Sequence, residues 1–444
     1  MKKLLLILCL TLCGAATFAQ KKKIGTETPA QREQRMAWWT HDRFGMFIHF
    51  GLYAMPARHE WVKNHEHLTN EQYQPYFDLF NPDLYNPKEW AKRAKAAGMK
   101  YAVLTTKHHE GFCLFDSKFT DYKSTNTLIK RDLVKEFVEA FRAEGIKVGF
   151  YYSLLDWHHP DFTVDIFHPQ RPDKDADTAY TRLNKGRNMD RYRKYMTDQV
   201  TELLTKYGKI DIMWLDFSYP GPNGKGKDEW NSVAMLKLIR KLQPGIIVDN
   251  RLDLNDYEDG ADFATPEQVK ASELKSDGMP FETCQTFSGS WGYHRDENSW
   301  KDNRTLLTLL ITSVSKSGNL ILNVGPTARG TFDYRAITAL DSIGEWMHVN
   351  DRAIYGCKEA PAEFTAPDNT LLTYNPSAKK LYIHLLQYPG GQVTLKGYAG
   401  RVKYTQFVHD NSEIKREEKG KDIVLKLPVT QPPYTIPVIE VIFN

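Results

Sequence analysis

The run IDIMWLDFS at 210–218 ends an apolar segment on a carboxylate, because Asp216 is flanked by Leu215 and Phe217. A carboxylate among apolar neighbours loses hydration, so it either forms a structural ion pair or belongs to a functional site. Along an extended strand, alternate residues share a face. This alternation places Ile210, Ile212, Trp214 and Asp216 on one face, and Asp211, Met213 and Leu215 on the other. An aromatic ring beneath a carboxylate is a common floor for a sugar.

Six other segments have the apolar character of buried strands. Together with 209–216, the predicted strands are 43–50, 100–106, 146–153, 245–250, 280–286 and 319–324. The carboxyl ends of parallel strands in a barrel meet at one face, where loops build the active site. Polar and aromatic residues occur at or just after these ends: His49, His108, His109, Tyr151, Asp156, Trp157, Asp249, Asn250, Arg251 and Trp291.

Amphipathic segments at 87–99, 132–145 and 190–208 alternate with the strands and predict helices. Gly98, Gly145 and Gly208 precede the next strand, where a helix C-cap needs a left-handed residue. Repeated βα units indicate a parallel sheet covered on both faces. We prefer a closed (β/α)8-like (TIM-type) barrel over an open doubly wound sheet, because neither a GxGxxG after the first strand nor a Walker-type GxxxxGK followed by Ser or Thr occurs. Only seven strands are clear, so the eighth is irregular, missing or hidden.

The chain changes character near residue 357, after which short alternating runs are separated by Asn-Pro, Pro-Gly-Gly and Pro-Pro. This pattern predicts a C-terminal antiparallel β-sandwich at 357–444 following a catalytic barrel at 20–356. The first residues, MKKLLLILCLTLCGAATFAQ, combine a basic start, a short apolar stretch and small residues. They predict a signal peptide at 1–19, cleaved after about Ala19, and hence a secreted or periplasmic protein without a retained membrane anchor.

Composition excludes several other functions. The net charge is +4 with charges interspersed, so neither a nucleic-acid groove nor a polybasic membrane surface is indicated. Cys113, Cys284 and Cys357 remain after the leader, widely spaced and without a CxxC pair, and we expect buried free thiols. His108 and His109 could ligate a metal, but adjacent residues on an extended chain point in opposite directions and no HExxH is present.

Each of these residues also has a purely structural interpretation. His49 could be a satisfied core histidine, Trp291 could be part of the core, and Arg251 could simply pair with a nearby aspartate. Asp216 could itself be half of a structural ion pair. Their accumulation at one end of the predicted strands favours a site.

Seven segments in order resemble the α-L-fucosidases of glycoside hydrolase family 29 over about residues 35–350. They are RFGMFIHFGLYAMPARHEW, VLTTKHHEGFCLFDSKFTDY, GFYYSLLDW, IDIMWLDF, VDNR, SWGY and SGNLILNVGPTARG. The resemblance implies a (β/α)8-like barrel with a C-terminal β-sandwich. It also implies an exo-hydrolase, without cofactor or metal, that removes terminal α-L-fucose from fucosylated oligosaccharides or glycoconjugates with retention of configuration. Homo-oligomers are common among similar enzymes.

The resemblance makes Asp216 the nucleophile and leaves two candidates for the acid/base. Glu267 is preferred because a loop residue can reach over the sugar, whereas Glu282 lies inside a strand-like run; Glu258 and Asp262 are weaker candidates. The implied substrate-binding residues are His49, Glu60, Trp61, His108, His109, Tyr151, Trp214, Arg251 and Trp291. Alternatives are a related barrel glycosidase acting on another sugar, or a catalytically silent carbohydrate-binding relative.

Overall fold

Seven parallel strands form the main sheet of the protein. The computed structural model describes residues 27–172, 177–255, 260–269, 273 and 278–444, so the predicted signal peptide and Glu258 lie outside the described residues. The strands are β1 (Phe44–Ile48), β2 (Tyr101–Lys107), β3 (Lys147–Ser153), β4 (Ile212–Asp216), β5 (Ile247–Val248), β6 (Glu282–Thr286) and β7 (Asn319–Val324), each within or beside a predicted strand. Their order in the sheet is β5-β4-β3-β2-β1-β7-β6.

Helices connect the strands and cover the outside of the sheet. In the helix Leu133–Ala143, Asp132 caps the first turn by accepting a hydrogen bond from the Lys135 amide at 2.9 Å. Gly98, Gly145 and Gly208 have φ values of +84°, +76° and +72°, which confirms the predicted left-handed C-caps. The helices are α1 (Pro29–Asp42), α2 (Val62–His65), α3 (Asn70–Asp78), α4 (Pro87–Ala96), α5 (Leu133–Ala143), α6 (Asp177–Leu183), α7 (Met189–Lys206), α8 (Lys227–Trp230), α9 (Ser232–Leu242), α10 (Asn303–Ser315) and α11 (Tyr334–Asn350).

An irregular stretch at 262–268, which we call the eighth segment, lies between the two edge strands β5 and β6. The Asp262 amide donates to the Val248 carbonyl at 2.9 Å, and the Glu282 amide donates to the Ala264 carbonyl at 2.8 Å. The segment pairs with each of these strands only through isolated parallel β-bridges, not through a continuous ladder of hydrogen bonds. The eighth segment therefore occupies the place of the eighth strand, which explains why no strand-like run marks it in the sequence.

Side chains from all eight positions meet inside the barrel. Ile212 and Trp214 point inward, whereas Met213 and Leu215 pack outward against the helices, so the predicted alternation is confirmed from Ile212 onward. Ile210 packs in the outer layer instead, because the strand begins only at Ile212. The interior core includes Phe47, Val103, Tyr151, Trp214, Ile247, Phe263, Cys284 and Ile321, one from each strand and one from the eighth segment.

The C-terminal strands form two antiparallel sheets, which confirms the predicted sandwich. The strands are β8 (Thr370–Asn375), β9 (Lys380–Leu385), β10 (Gln392–Leu395), β11 (Val402–Phe407), β12 (Lys415–Lys419), β13 (Asp422–Lys426) and β14 (Val438–Phe443). Their orders in the two sheets are β11-β14-β9-β8 and β10-β13-β12. Ile383 and Ile439 of the larger sheet share a core with Leu395 and Ile423 of the smaller one.

No helix within the described part of the chain is both long and apolar enough to cross a membrane. The three cysteines outside the leader, Cys113, Cys284 and Cys357, are buried free thiols, as predicted.

Asp262 anchors the eighth segment to the surrounding helices. Its buried carboxylate accepts from Arg35 Nη2 at 2.8 Å and Nη1 at 3.1 Å, from Arg240, and from the Val248 amide at 2.8 Å. Burial raises the pKa of Asp262, but the guanidinium groups of Arg240 and Arg35 outweigh it and hold the pKa below its ordinary value. Asp262, a weaker candidate for the acid/base, is thus enclosed by structural partners.

Replacing Asp262 by alanine should destabilise the protein by about 3–5 kcal/mol, because two arginines would lose their buried partner. Denaturant unfolding at pH 7 measures this loss, with the exposed Asp368→Ala as a matched control expected to change stability by less than about 0.5 kcal/mol. Because the pKa of Asp262 is lowered in the fold, its contribution is present at neutral pH and disappears as the pH falls through that lowered pKa. Equal losses for the two variants would contradict this role.

Candidate active site

A pocket of about 350 Å³ opens at the carboxyl ends of the barrel strands. Both Asp216 and Glu267 line it, whereas Glu282 and Glu60 do not. The other predicted residues that line it are His49, Trp61, His108, His109, Tyr151, Trp214, Arg251 and Trp291.

Asp216 ends β4 and points into this pocket. Its Oδ2 accepts a hydrogen bond from the Tyr151 hydroxyl at 2.7 Å, and its Oδ1 accepts from Arg251 Nη1 at 2.8 Å. Burial and the charge of Asp216 raise the pKa of Tyr151 well above its ordinary value, so this phenol remains a donor. Two donors therefore hold the carboxylate in one orientation, which suits a nucleophile or an electrostatic stabiliser.

Arg251 joins the two pocket carboxylates. Its Nη2 donates to Glu267 Oε2 at 2.7 Å, and its Nε donates to the Thr265 hydroxyl at 2.8 Å. The guanidinium lies over the Trp214 ring, 4.8 Å from its centroid. Burial lowers the pKa of Arg251, but the charge of Asp216 and other neighbours outweighs burial and raises it. A permanently cationic fork thus links the end of β4 to the eighth segment.

The two acid/base candidates occupy different environments. The Glu267 side chain is 41% exposed and sits at the rim of the pocket, on the eighth segment. Glu282 is fully buried inside the barrel, where it accepts from the Tyr101 hydroxyl and from Trp214 Nε1, the latter at 3.3 Å. Because Trp214 lines the pocket and Glu282 lies behind its indole, Glu282 has no direct access to the cavity. Burial raises the pKa of Glu282 to about 7.

His49 belongs to a hydrogen-bonded chain that fixes its tautomer. Asn323 Nδ2 donates to the Trp291 carbonyl at 2.6 Å, so the Asn323 Oδ1 faces His49 Nδ1, 2.7 Å away. His49 Nδ1 must then carry the proton, which leaves Nε2 as an acceptor. Burial and the nearby His108 lower the pKa of His49, in agreement with a neutral ring.

His109 is fixed in the same way. The Ser153 hydroxyl donates to the Leu155 carbonyl at 2.9 Å and therefore accepts from His109 Nδ1 at 2.7 Å. His109 Nε2 is consequently an acceptor as well, and burial lowers the pKa of this ring. Two neutral histidines with free acceptor nitrogens are suited to receive hydrogen bonds from sugar hydroxyls.

The expectation that His108 and His109 point in opposite directions is wrong. Both line the pocket, and their ring centroids are 4.0 Å apart. The reason is that β2 ends at Lys107, and the following turn, closed by the Gly111 amide on the His108 carbonyl, is not extended.

Glu60 supports the pocket from behind its wall. The buried Oε2 accepts from the backbone amides of Trp291 and Gly292 at 3.1 and 2.9 Å. Its neighbour Trp61 does line the pocket, edge-on to His109 at 5.1 Å. Glu60 thus positions the loop that carries Trp291.

Several residues of the site carry no signal in the sequence pattern. Phe217, which follows Asp216, has φ +88°, a left-handed backbone conformation that is rare for a bulky residue, and its ring lines the pocket. Phe47 and Cys284 also line the pocket. Asn323 could have been found from its position at the end of β7, whereas nothing in the sequence distinguishes Ser153.

Comparisons with known proteins agree on one family. A family model described as Alpha-L-fucosidase matches residues 11–352. Among solved structures, alpha-L-fucosidase isoenzyme 1 from Paenibacillus thiaminolyticus is 44% identical with a TM-score of 0.85, covering 93% of this chain and 99% of that chain. Among curated proteins, tissue alpha-L-fucosidase of Mus musculus is 28% identical over 430 residues, which is 90% of this chain and 89% of the mouse protein.

A third relative has been captured during its reaction. It is an alpha-L-fucosidase from Bacteroides thetaiotaomicron, trapped as a covalent intermediate with 2-fluoro-fucosyl fluoride by means of a glutamate-to-glutamine mutant. It is 28% identical with a TM-score of 0.78, covering 94% of this chain and 97% of that chain.

Replacing Glu282 by glutamine should change how stability depends on pH. Because the pKa of Glu282 is raised to about 7 in the fold, ionisation of this group costs stability as the pH rises. The free energy of unfolding of Glu282→Gln minus that of the native chain should therefore increase by about 2 kcal/mol from pH 5 to pH 8. Denaturant unfolding at both pH values measures the difference, with the exposed Glu345→Gln as control. A difference independent of pH would contradict the burial of an ionisable Glu282.

Proposed function

This chain belongs to the alpha-L-fucosidase family and is a glycoside hydrolase, and we propose that it removes terminal α-L-fucose from oligosaccharides or glycoconjugates with retention of configuration. The observation that carries the proposal is the pair of carboxylates, Asp216 and Glu267, held by one guanidinium in the pocket. This shared contact is compatible with the short separation of two carboxyl groups, about 5 Å, that retaining glycosidases need.

In the first step Asp216 attacks the anomeric carbon of the bound fucose. A bond forms between a carboxylate oxygen and C1, while the bond from C1 to the glycosidic oxygen breaks. The departing oxygen keeps the electron pair and takes a proton from Glu267. Tyr151 and Arg251 keep the attacking carboxylate in place.

In the second step water releases the sugar from the enzyme. Glu267, now ionised, removes a proton from water as the water oxygen attacks C1, and the electrons of the ester bond return to Asp216. The trapped covalent intermediate of the Bacteroides thetaiotaomicron relative supports this double displacement.

Glu267 must change partners during the reaction. Its contact with Arg251 joins a carboxylate to a cation, whereas the first step requires the carboxylic acid. We infer that the incoming glycosidic oxygen displaces the Arg251 contact, while the contact between Arg251 and Asp216 is retained. The exposed position of Glu267 at the rim allows this movement.

Recognition of the sugar relies on acceptors and aromatic surfaces. His49 and His109 present Nε2 atoms to sugar hydroxyls, and the rings of Trp61 and Phe217 line the pocket. An apolar lining favours the C5 methyl group of fucose over the hydroxymethyl group that galactose carries at the same carbon.

We also propose that the protein is exported, with its leader removed after about Ala19, which would bring it to extracellular glycans. The composition of residues 1–19 supports this proposal. N-terminal sequencing of the protein recovered outside the cytoplasm would test it, since an intact Met1 there would contradict cleavage.

The activity and the nucleophile can be tested together. The native protein should release 4-nitrophenol from its α-L-fucoside and not from the α- or β-galactoside. Asp216→Ala should lower kcat by at least about 10³-fold. Azide should partly restore turnover, because the small anion can fill the vacated space, and it should give fucosyl azide of inverted configuration. The exposed Asp368→Ala serves as the control and should match the native protein with and without azide. Activity on the galactosides alone would refute the fucose assignment.

The acid/base can be identified by comparing two matched variants, Glu267→Gln and Glu282→Gln. Loss of the acid should reduce kcat/KM about 10²–10⁴-fold for a fucosyl oligosaccharide, whose leaving group needs protonation, and far less for 4-nitrophenyl fucoside. We expect this pattern for Glu267→Gln, whereas Glu282→Gln should affect both substrates alike. The reverse assignment of the two patterns would show that Glu282 is the acid.

A further inference from the structure

A second, wider pocket of about 770 Å³ adjoins the candidate active site. We call it the outer pocket, and we propose that it binds the saccharide from which fucose is released, so that the preferred substrates carry fucose on a neutral oligosaccharide. This inference rests on the fucosidase function proposed above. The lining residues that carry it are Phe167, Phe217, Tyr219, Asn250, Arg251 and Asn255.

The outer pocket is placed where a leaving group must emerge. Arg251 and Phe217 line both pockets, so the two cavities adjoin at these side chains. The glycosidic oxygen has to lie next to Glu267, which is bonded to the Arg251 guanidinium. Thr265, which accepts from Arg251 Nε at 2.8 Å, also lines the outer pocket. A sugar attached to that oxygen therefore passes Arg251 into the outer pocket.

One wall of the outer pocket is aromatic. Phe167 packs edge-on against Tyr219 at 4.7 Å and against Phe217 at 5.0 Å, and Phe217 lies 5.4 Å from Tyr219. All three rings remain partly exposed. Partly exposed aromatic rings offer the flat apolar surface on which the C–H face of a pyranose can pack, with polar groups around it for the hydroxyls.

This wall is held rigidly by a buried ion pair beneath it. Asp165 accepts from the Tyr219 hydroxyl at 2.6 Å and from the Lys225 ammonium group. Lys225 also donates to the Thr163 carbonyl at 2.9 Å, and its backbone pairs with that of Tyr219. The two loops that form the wall are therefore cross-linked, and a ligand would not have to order them. Such preorganisation favours binding, because less conformational entropy is lost.

The polar groups of the outer pocket suit a neutral ligand. The Thr265 hydroxyl accepts from Arg251 and donates to Asn250 Oδ1 at 3.2 Å. This contact uses the amide oxygen of Asn250, so the amide nitrogen points away from Thr265. Asn255 Nδ2 donates to Asp253 at 3.1 Å, which leaves the Asn255 carbonyl oxygen as an acceptor. Among the described lining residues, Arg251 is the cation, and its guanidinium stays bonded to Asp216 when the glycosidic oxygen displaces Glu267. An anionic sugar would meet Asp253 instead of a free positive charge.

Two variants test the outer pocket through the ratio of kcat/KM for fucosyllactose to kcat/KM for 4-nitrophenyl α-L-fucoside. The 2′- and 3-fucosyl isomers of lactose are both tried, and the better substrate is used. Tyr219→Ala should lower this ratio by about 10-fold, because the ring supports a whole sugar. Asn255→Ala, at an exposed position that leaves the fold undisturbed, should lower it by about 3-fold. The control Tyr334→Ala removes a tyrosine that is 74% exposed and should leave the ratio unchanged.

The outcomes separate this proposal from the proposed function. If the native protein cleaves neither substrate, the fucosidase proposal itself fails. If it cleaves both and the ratio is unchanged in Asn255→Ala and in folded Tyr219→Ala, only the outer pocket is refuted. A sialylated fucosyl glycan that is cleaved faster than its neutral counterpart would refute the preference for a neutral saccharide.

Discussion

The guanidinium of Arg251 lies between two carboxylates that would otherwise repel one another. Two unit negative charges about 5 Å apart repel by about 3 kcal/mol at an effective dielectric constant of about 20. Arg251 compensates by donating to Asp216 at 2.8 Å and to Glu267 at 2.7 Å. The chemistry proposed for the site needs these carboxyl groups close together, so the cation between them is a condition for the whole arrangement.

The barrel is built so that this contact can form. Asp216 is held by β4, Arg251 follows β5, and Glu267 lies on the eighth segment, which hydrogen-bonds to both edge strands. Asp262 ties the start of that segment to Arg35 and Arg240. An irregular segment can carry a carboxylate to the rim of the pocket, whereas a regular inward-facing strand position, such as that of Glu282, places it in the interior.

Much of this arrangement could be predicted from the sequence. The seven strands have strong apolar runs, and the period of two on β4 correctly placed Trp214 and Asp216 on the inner face. Polar residues at strand ends led to His49, Tyr151 and Arg251, all of which line the pocket.

Other features depend on contacts that a linear pattern does not contain. The eighth segment pairs with its neighbours only through isolated backbone bridges. It therefore does not need the alternating apolar and polar residues that mark a regular strand in the sequence. The direction in which the His108 side chain points depends on the turn after β2. The Glu60 carboxylate binds two backbone amides in the loop that carries Trp291, far from Glu60 in the sequence. The tautomer of His49 is set by its hydrogen bond to Asn323, which lies on β7, 274 residues further along the chain.

The central claim, that Asp216 forms a covalent bond to fucose, can be measured directly. The Glu267→Gln variant is incubated with 2-fluoro-fucosyl fluoride, digested with a protease, and its peptides are analysed by tandem mass spectrometry. We expect one added 2-fluoro-fucosyl group, located on Asp216 within the peptide that contains IDIMWLDFS. A label on a different residue, or an unlabelled enzyme that still turns over the fluoride, would contradict the account.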